Sequence, residues 1–302
     1  MSARETRKAV IVMVLLVVIW GYSWITSKIG LNYASFLDFA AFRVVIGTAA
    51  LLAFLLWSRV SLRPQQFKWI LFIGFIQTSL FIVLNSWALA GGEPGRTSVL
   101  VFTMPFWVLV FAWPVLGERI RGLQWLAIGL ALAGLLLVMQ PWDLHTSLLS
   151  KTLAVLAGIS WAISVVAAKR LHSKEKVDEV AFTFWQMAIG VIPIVVIDAL
   201  FDTRSIDWTP VFVAASIFNG VVATAMGWVM WLYVLHRLPA GTTSVSSLGV
   251  PVIAGLASWL QLDEEPSRME LSGMLLIGAA LAIVSWVTIR RHEEPEPLTG
   301  QE

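Results

Sequence analysis

Gln77, Phe81 and Asn85 recur at intervals of four, so on a helix they share one face. Trp20, Trp24 and Ser27 follow the same rule, as do Trp161 with Ser164 and Ser244 with Ser247 and Pro251; Asn219, Ala223 and Trp231 follow it approximately. Ser98 adds a hydroxyl to the set and Arg43 a cation. The chemistry open to such residues is recognition rather than bond-breaking. Amides and hydroxyls bring donors and acceptors, and indoles offer flat apolar walls with one N–H. Converging on one cavity, they suit a zwitterion with an apolar or aromatic side chain. For any single hydroxyl the preferred alternative is a hydrogen bond between helices, and for any Trp an anchor at a membrane surface. The amides of Gln77 and Asn85 are harder to satisfy in that way and weigh towards a cavity.

Reacting groups are not evident. No HExxH or GxSxG motif occurs, no paired carboxylates lie within an apolar segment, and the chain has no Cys. Catalytic residues, a metal site and a cofactor are therefore not expected. Asp38, Glu93, Glu118, Asp198 and Glu264 all lie near segment ends, so no acid stands at a midpoint to bind a driving ion. Arg43 is the one formal charge well inside an apolar segment. Anchoring or gating through backbone carbonyls is the preferred role for it, and a substrate carboxylate is the alternative.

These residues sit in a chain suited to a bilayer. Of its 302 residues 58% are hydrophobic and 13% charged, and mean hydropathy is +0.80, too little polar surface to cover a soluble globule. A net charge of +2 gives no reason to expect nucleic acid as a partner. Ten segments are apolar enough and long enough to cross a hydrocarbon core of ~30 Å: about 9–28, 37–57, 68–90, 96–116, 123–140, 151–169, 180–200, 209–235, 241–261 and 271–289. The first follows Arg4, Arg7 and Lys8 but is too long for a signal peptide, so it is expected to remain as a span. Fifteen of the 21 Lys and Arg fall on one side of this arrangement and five on the other, Arg43 apart, which places both termini in the cytoplasm.

The segments repeat. Gly95 to Glu118 matches Gly241 to Glu264, with Thr97-Ser98 on Thr243-Ser244, Pro105 on Pro251 and Glu118 on Glu264, all at an offset of 146. Ile73-Gly74 matches Asn219-Gly220 at 146, Ile46-Gly47 matches Ile189-Gly190 at 143, and Trp20 with Lys28 matches Trp161 with Lys169 at 141. Five spans per copy is an odd number, so the copies must be inverted relative to one another. The expectation is an all-α integral membrane protein with ten transmembrane helices as two inverted five-helix repeats, residues 1–145 and 146–291, followed by a disordered cytoplasmic tail, 292–302. Pro105 and Pro251 are expected to bend their helices as a symmetric pair of hinges. Gly129 with Ala133 and Gly278 with Ala282 give the fifth and tenth spans small-residue faces for packing within the fold or for a weak dimer.

Trp20-Gly21 in the first span, Arg43 in FAAFR, Pro105 in a span ending Gly117-Glu118-Arg119, then Gln124-Trp125-Leu126 and Ala133-Gly134, resemble the EamA type of the drug/metabolite transporter superfamily over roughly 9–290. The second copy departs from this pattern, with Asp263-Glu264-Glu265 for Gly-Glu-Arg and Gln186 where the first has Arg43. Within that family the chain is most similar to amino-acid and metabolite exporters, aromatic amino acid exporters above all. The resemblance implies a secondary transporter that binds a small molecule between its halves, as a monomer or weak homodimer. With no acid at midplane, a facilitator or exchanger is expected, the alternative being export of other small organic solutes or drugs, with or without protons.

Overall fold

A computed structural model describes residues 3–117, 122–139, 147–175, 177–201, 205–238, 243, 246–247 and 249–293. Among these the chain is helical with no strand. We number the helices α1 (Ala3–Gly30), α2 (Phe36–Ser58), α3 (Phe67–Ala90), α4 (Pro94–Leu116), α5 (Leu123–Met139), α6 (Leu148–His172), α7 (Glu179–Phe201), α8 (Pro210–Arg237), α9 (Gly249–Leu262) and α10 (Arg268–Glu293). Seven of them, α1 to α4 and α6 to α8, are long and apolar enough to cross a membrane, while the described apolar stretches of α5 and α9 are shorter. α10 continues to Glu293, past the point where the tail was expected to begin, and 294–302 lie outside the described residues.

Local chemistry sets the ends. Ser35 caps α2 by accepting from Asp38 N at 3.0 Å, Ser147 caps α6 through Ser150 N at 3.2 Å, and Thr209 caps α8 through Phe212 N at 3.2 Å, with Pro210 in the first turn where its missing N–H costs nothing. α4 closes on Gly117 in the left-handed region at φ 74°. The C-terminal carbonyls of α3 are held by Lys28, whose Nζ donates to Leu89 O at 3.1 Å and Gly92 O at 2.6 Å. Lys169 does the same for α8, donating to Leu235 O at 3.1 Å and Leu238 O at 3.2 Å. A cation at a helix C-terminus is favoured by the dipole as well as by the hydrogen bonds. Both lysines are thus helix caps, a role that their place at span ends does not reveal.

The packing maps onto itself when the first five helices are exchanged for the last five. α1 packs on α8 and α9 as α6 packs on α3 and α4, α2 crosses α8 as α7 crosses α3, and α5 pairs with α10. The crossings are close because glycines meet there. A Cβ on Gly47 would lie 2.8 Å from Gly220 O, and one on Gly190 would overlap Gly74 O and Thr78. At both crossings the partner helix widens into a π-helical stretch, Gly74–Leu80 in α3 and Phe218–Met226 in α8. Such turns release a carbonyl from the α ladder and are frequent at functional sites. Between α5 and α10 the seam runs through Gly134, where a Cβ would lie 2.6 Å from Gly273 O. Gly129 and Gly278, expected to give small-residue faces for packing within the fold or for a weak dimer, have open space around an added Cβ.

The two helix ends that contain Lys28 and His172 define the two ends of the bundle. At the Lys28 end Arg96 bridges Glu93 at 2.9 Å and Glu270 at 2.6 Å, and Ser258 Oγ donates to Glu264. Burial raises the Glu264 carboxyl above its ordinary value of 4.5, with Glu93 adding to the effect. A raised pKa means that the folded chain binds the proton more tightly than the unfolded chain, so this group's contribution is full below pH 4.5 and is lost as pH climbs through the folded value. Glu264→Gln should therefore flatten the fall in Tm between pH 4.5 and 8 in detergent; an unchanged slope would show that Glu264 does not titrate there.

Candidate functional site

α1, α2, α3, α4, α6 and α8 surround a narrow, half-open cavity of about 40 Å³ lined by Trp20, Ser23, Trp24, Ser27, Arg43, Phe81, Asn85, Val101, Phe102, Trp161 and Trp228. Its residues come from the last turns of α1 and α3 and the early turns of α2 and α4, so it occupies the half of the bundle towards the Lys28 end. Its floor, towards the other end, is aromatic. Trp20 packs with Trp161, Trp228 and Trp231 at centroid distances of 5.5, 5.2 and 5.6 Å, and Trp161 touches Phe81 at 5.5 Å and Phe102 at 5.1 Å. Rings meeting edge-on or tilted gain from their quadrupoles beyond the area they bury. All six rings of this cluster are buried.

The π stretch of α8 explains how Trp20 is held. It frees the Ala223 carbonyl, which accepts from Trp20 Nε1 at 2.8 Å. One residue on, Thr224 Oγ1 accepts from Arg43 Nε at 2.9 Å. Arg43 has no other hydrogen bond and no ion pair among the described residues, so the remaining N–H groups of its guanidinium are free at the cavity wall. Asn85, also in the wall, has a buried side-chain oxygen with no partner. The cavity therefore offers an uncompensated cation among indole and phenyl faces, with the unpartnered Asn85 oxygen buried in its wall. No carboxylate is among its described lining residues.

The structure brings Trp20, Trp24, Arg43, Phe81, Asn85 and Trp161 together around this cavity, and Trp231 stands behind them in the aromatic floor. Other residues are placed differently. Asn219 is an interhelical strut: its Nδ2 donates to Thr26 Oγ1 and Ala215 O, both at 2.9 Å, and its Oδ1 accepts from Ser27 at 2.8 Å. Ser98 donates to Gly95 O within its own helix at 2.7 Å. Ser164 donates to Gln77 Oε1 at 2.8 Å, away from the cavity, and Ser247 is buried outside its wall. Ser244 lies outside the described residues. Pro105 follows a break in α4 at Phe102 and Thr103 and opens the next helical turn, where its missing N–H is no loss; Pro251 has the corresponding place in the first turn of α9. Among the described residues, Pro114 and Pro193 lie in helix interiors.

Sequence reasoning missed Ser23, Thr224, Phe102 and Trp228. Trp228 is legible afterwards as the residue three before Trp231 on one helix face, and Ser23 as one of a turn with Trp20 and Trp24. Thr224 and Phe102 depend on the π stretch and the helix break, which no local pattern announces.

A protein-family model described as the EamA-like transporter family matches the chain twice, over residues 7–140 and 149–286. The uncharacterized transporter YoaV of Bacillus subtilis is 27% identical over 94% of this chain and 99% of its own length. A probable amino-acid metabolite efflux pump of Escherichia coli is also 27% identical, over 92% of this chain and 95% of its own. A probable terminal-alkyne amino-acid exporter of Streptantibioticus cattleyicolor is 24% identical over 95% and 96%. One solved crystal structure, 18% identical, superposes with a TM-score of 0.71 over 94% of this chain and 99% of its own, which establishes the fold. With the family pattern present in both halves, the chain belongs to the EamA-like transporter family, a multi-pass membrane transporter.

Proposed function

We propose that this transporter exports neutral amino acids with aromatic or apolar side chains, or metabolites of that shape, by alternating access as a facilitator or exchanger. The observation that carries the reading is the pairing of a free Arg43 guanidinium with an unpartnered Asn85 oxygen in an aromatic-walled cavity. A carboxylate is the ligand that satisfies an isolated guanidinium best. An ammonium is matched by Asn85 Oδ1, by the open lone pairs of the Ser23 and Ser27 hydroxyls, and by the faces of the rings. The side chain then lies against Trp20, Phe81 and Trp161. A cationic drug entering the same cavity would meet Arg43 and no counter-ion, which disfavours it. Two relatives with amino-acid names support the same substrate class.

On this reading the ten helices are ten spans in two inverted five-helix repeats, divided at about residue 145. Both termini are cytoplasmic, the Lys28 end is periplasmic and the membrane is a bacterial inner membrane, as the excess of Lys and Arg at the His172 end supports. The cavity is then open on the periplasmic side.

The test is uptake by proteoliposomes of labelled phenylalanine, tryptophan, threonine and a quaternary cation, with and without a proton gradient. Saturable uptake of the aromatic amino acids that does not need the gradient is expected. Strict proton dependence would remove the facilitator reading, and transport of the cation in preference to phenylalanine would replace the substrate class.

A further inference from the structure

The two halves match in backbone packing but not in how their polar groups are satisfied. In the half towards the Lys28 end, Trp20 Nε1 has the Ala223 carbonyl and Arg43 Nε has Thr224. Their counterparts towards the His172 end are Trp161 and Gln186, at the offsets of 141 and 143. Trp161 Nε1 has no partner, and neither does Gln186 Nε2 nor Gln186 Oε1; Gln77 Nε2 is also unpaired. Gln186 is 0% exposed, Trp161 1% and Gln77 3%. The two glutamines share one wedge of the fold, and Trp161, whose ring also lines the open cavity, stands at its edge one turn before Ser164. α7 crosses the π stretch of α3 so closely that a Cβ on Gly74 would lie 2.7 Å from Gln186 O. Gln77 is one turn further along that stretch, and α6 closes the third side through the bond of 2.8 Å from Ser164 to Gln77 Oε1.

Buried amides and indole N–H groups without partners lose their hydration and gain nothing for it. Four such atoms in one wedge and at its edge make sense if another conformation gives them a ligand, because the chain alternates between faces. We propose that Gln77, Gln186 and the Trp161 indole form a second substrate half-site, closed in this conformation, which opens towards the His172 end and holds the polar backbone of the same amino acid through neutral hydrogen bonds. This inference rests on the transport reading above. It adds an asymmetry: the periplasmic half-site carries a permanent cation, and the cytoplasmic one carries an amide at the equivalent position. A carboxylate is held more strongly by a guanidinium than by an amide. Apparent KM should therefore be higher from the cytoplasmic side than from the periplasmic side. For a passive carrier Vmax/KM must be equal in both directions, so Vmax rises with it.

The absence of Cys from the chain makes a direct test available. Gln186→Cys and Gln77→Cys, each in the full chain, are treated with a charged, membrane-impermeant methanethiosulfonate in right-side-out and inside-out vesicles; Ser23→Cys serves as the marker of the open cavity. The expected result is that Ser23→Cys reacts from the Lys28 side, that Gln186→Cys and Gln77→Cys react from the His172 side alone, and that excess phenylalanine slows the latter reactions at least ~5-fold. Failure of both glutamine variants to react from either face, in vesicles of the unsubstituted chain's demonstrated transport competence, would overturn the half-site. Reaction without protection by phenylalanine would overturn the ligand class. If the unsubstituted chain moves no amino acid at all, the transport reading itself is what falls.

Discussion

Replacing Arg43 with Gln lowers the apparent affinity for phenylalanine by about 10- to 100-fold, the equivalent of losing one charge-assisted hydrogen bond to a carboxylate. The expectation follows from what Arg43 lacks. Its Nε is held by Thr224, which fixes the guanidinium at the cavity wall, but no described acid neutralises it. An Arg within a bilayer-spanning helix is costly unless something compensates it, and a cavity that admits a carboxylate supplies that compensation. The preferred reading from sequence was an anchor, and the two roles separate experimentally. If Arg43 binds the carboxylate, the Gln variant loses affinity for phenylalanine while phenylalaninamide, which has no carboxylate, competes equally weakly with both forms. If Arg43 only anchors α2 to α8, Thr224→Val reproduces the whole defect, Tm falls, and affinity for both ligands changes together. Arg43→Lys keeps the charge but not the planar fork, and should recover part of the affinity.

Much of the fold was legible because membrane insertion makes demands that composition must meet. Most of the apolar runs of about 20 residues, separated by Pro, Gly and charge, correspond to helices that differ from the expected segments by a few residues at their ends, while the start of the ninth, 241–248, lies largely outside the described residues. The repeat was legible because Gly47, Gly74, Gly190 and Gly220 cannot be exchanged where backbones touch, so the offsets of 143 and 146 register a packing constraint in both halves. Site residues were legible in proportion to their size. Large rings have few places to go in lipid, and Trp20, Trp24, Phe81 and Trp161 come together with Asn85 at one cavity, whereas the amides of Gln77 and Asn219 are placed away from it. Small hydroxyls were not legible, since Ser98 satisfies itself on a carbonyl three residues back and nothing in its neighbours distinguishes that from a ligand contact. The π stretches were not legible either, although each contains a glycine of the repeat. A π turn is a response to the close crossing, and the crossing is a tertiary fact. The same applies to the seam of α5 and α10, where small residues lie on more than one face and only packing selects Gly134 and Gly273 over Gly129 and Gly278.

That selection gives the second large effect. Gly190→Ala should cost about 1–3 kcal/mol and Gly190→Val more, because a Cβ there overlaps the Gly74 backbone oxygen and Thr78, and a backbone atom cannot rotate away. Gly47→Ala should follow with a smaller loss, its Cβ lying 2.8 Å from Gly220 O. For a domain of this size the Ala variants correspond to a fall in Tm of roughly 2–12 °C, read by thermal unfolding of purified protein in detergent. Gly129→Ala and Gly278→Ala are the controls. Both have open space around the added Cβ, so the better helix propensity of Ala should leave Tm unchanged or slightly higher. A uniform loss across all four positions would mean that helix flexibility, and not contact, is what the glycines provide. Loss confined to Gly190 and Gly47 would locate the stability of the bundle at the two crossings where each half grips the widened turn of the other. Those crossings also position Ala223 and Thr224 for Trp20 and Arg43. A variant that folds but spreads the α2 and α8 crossing should therefore lose affinity for phenylalanine before it loses its helices, because the cavity wall is set by that contact.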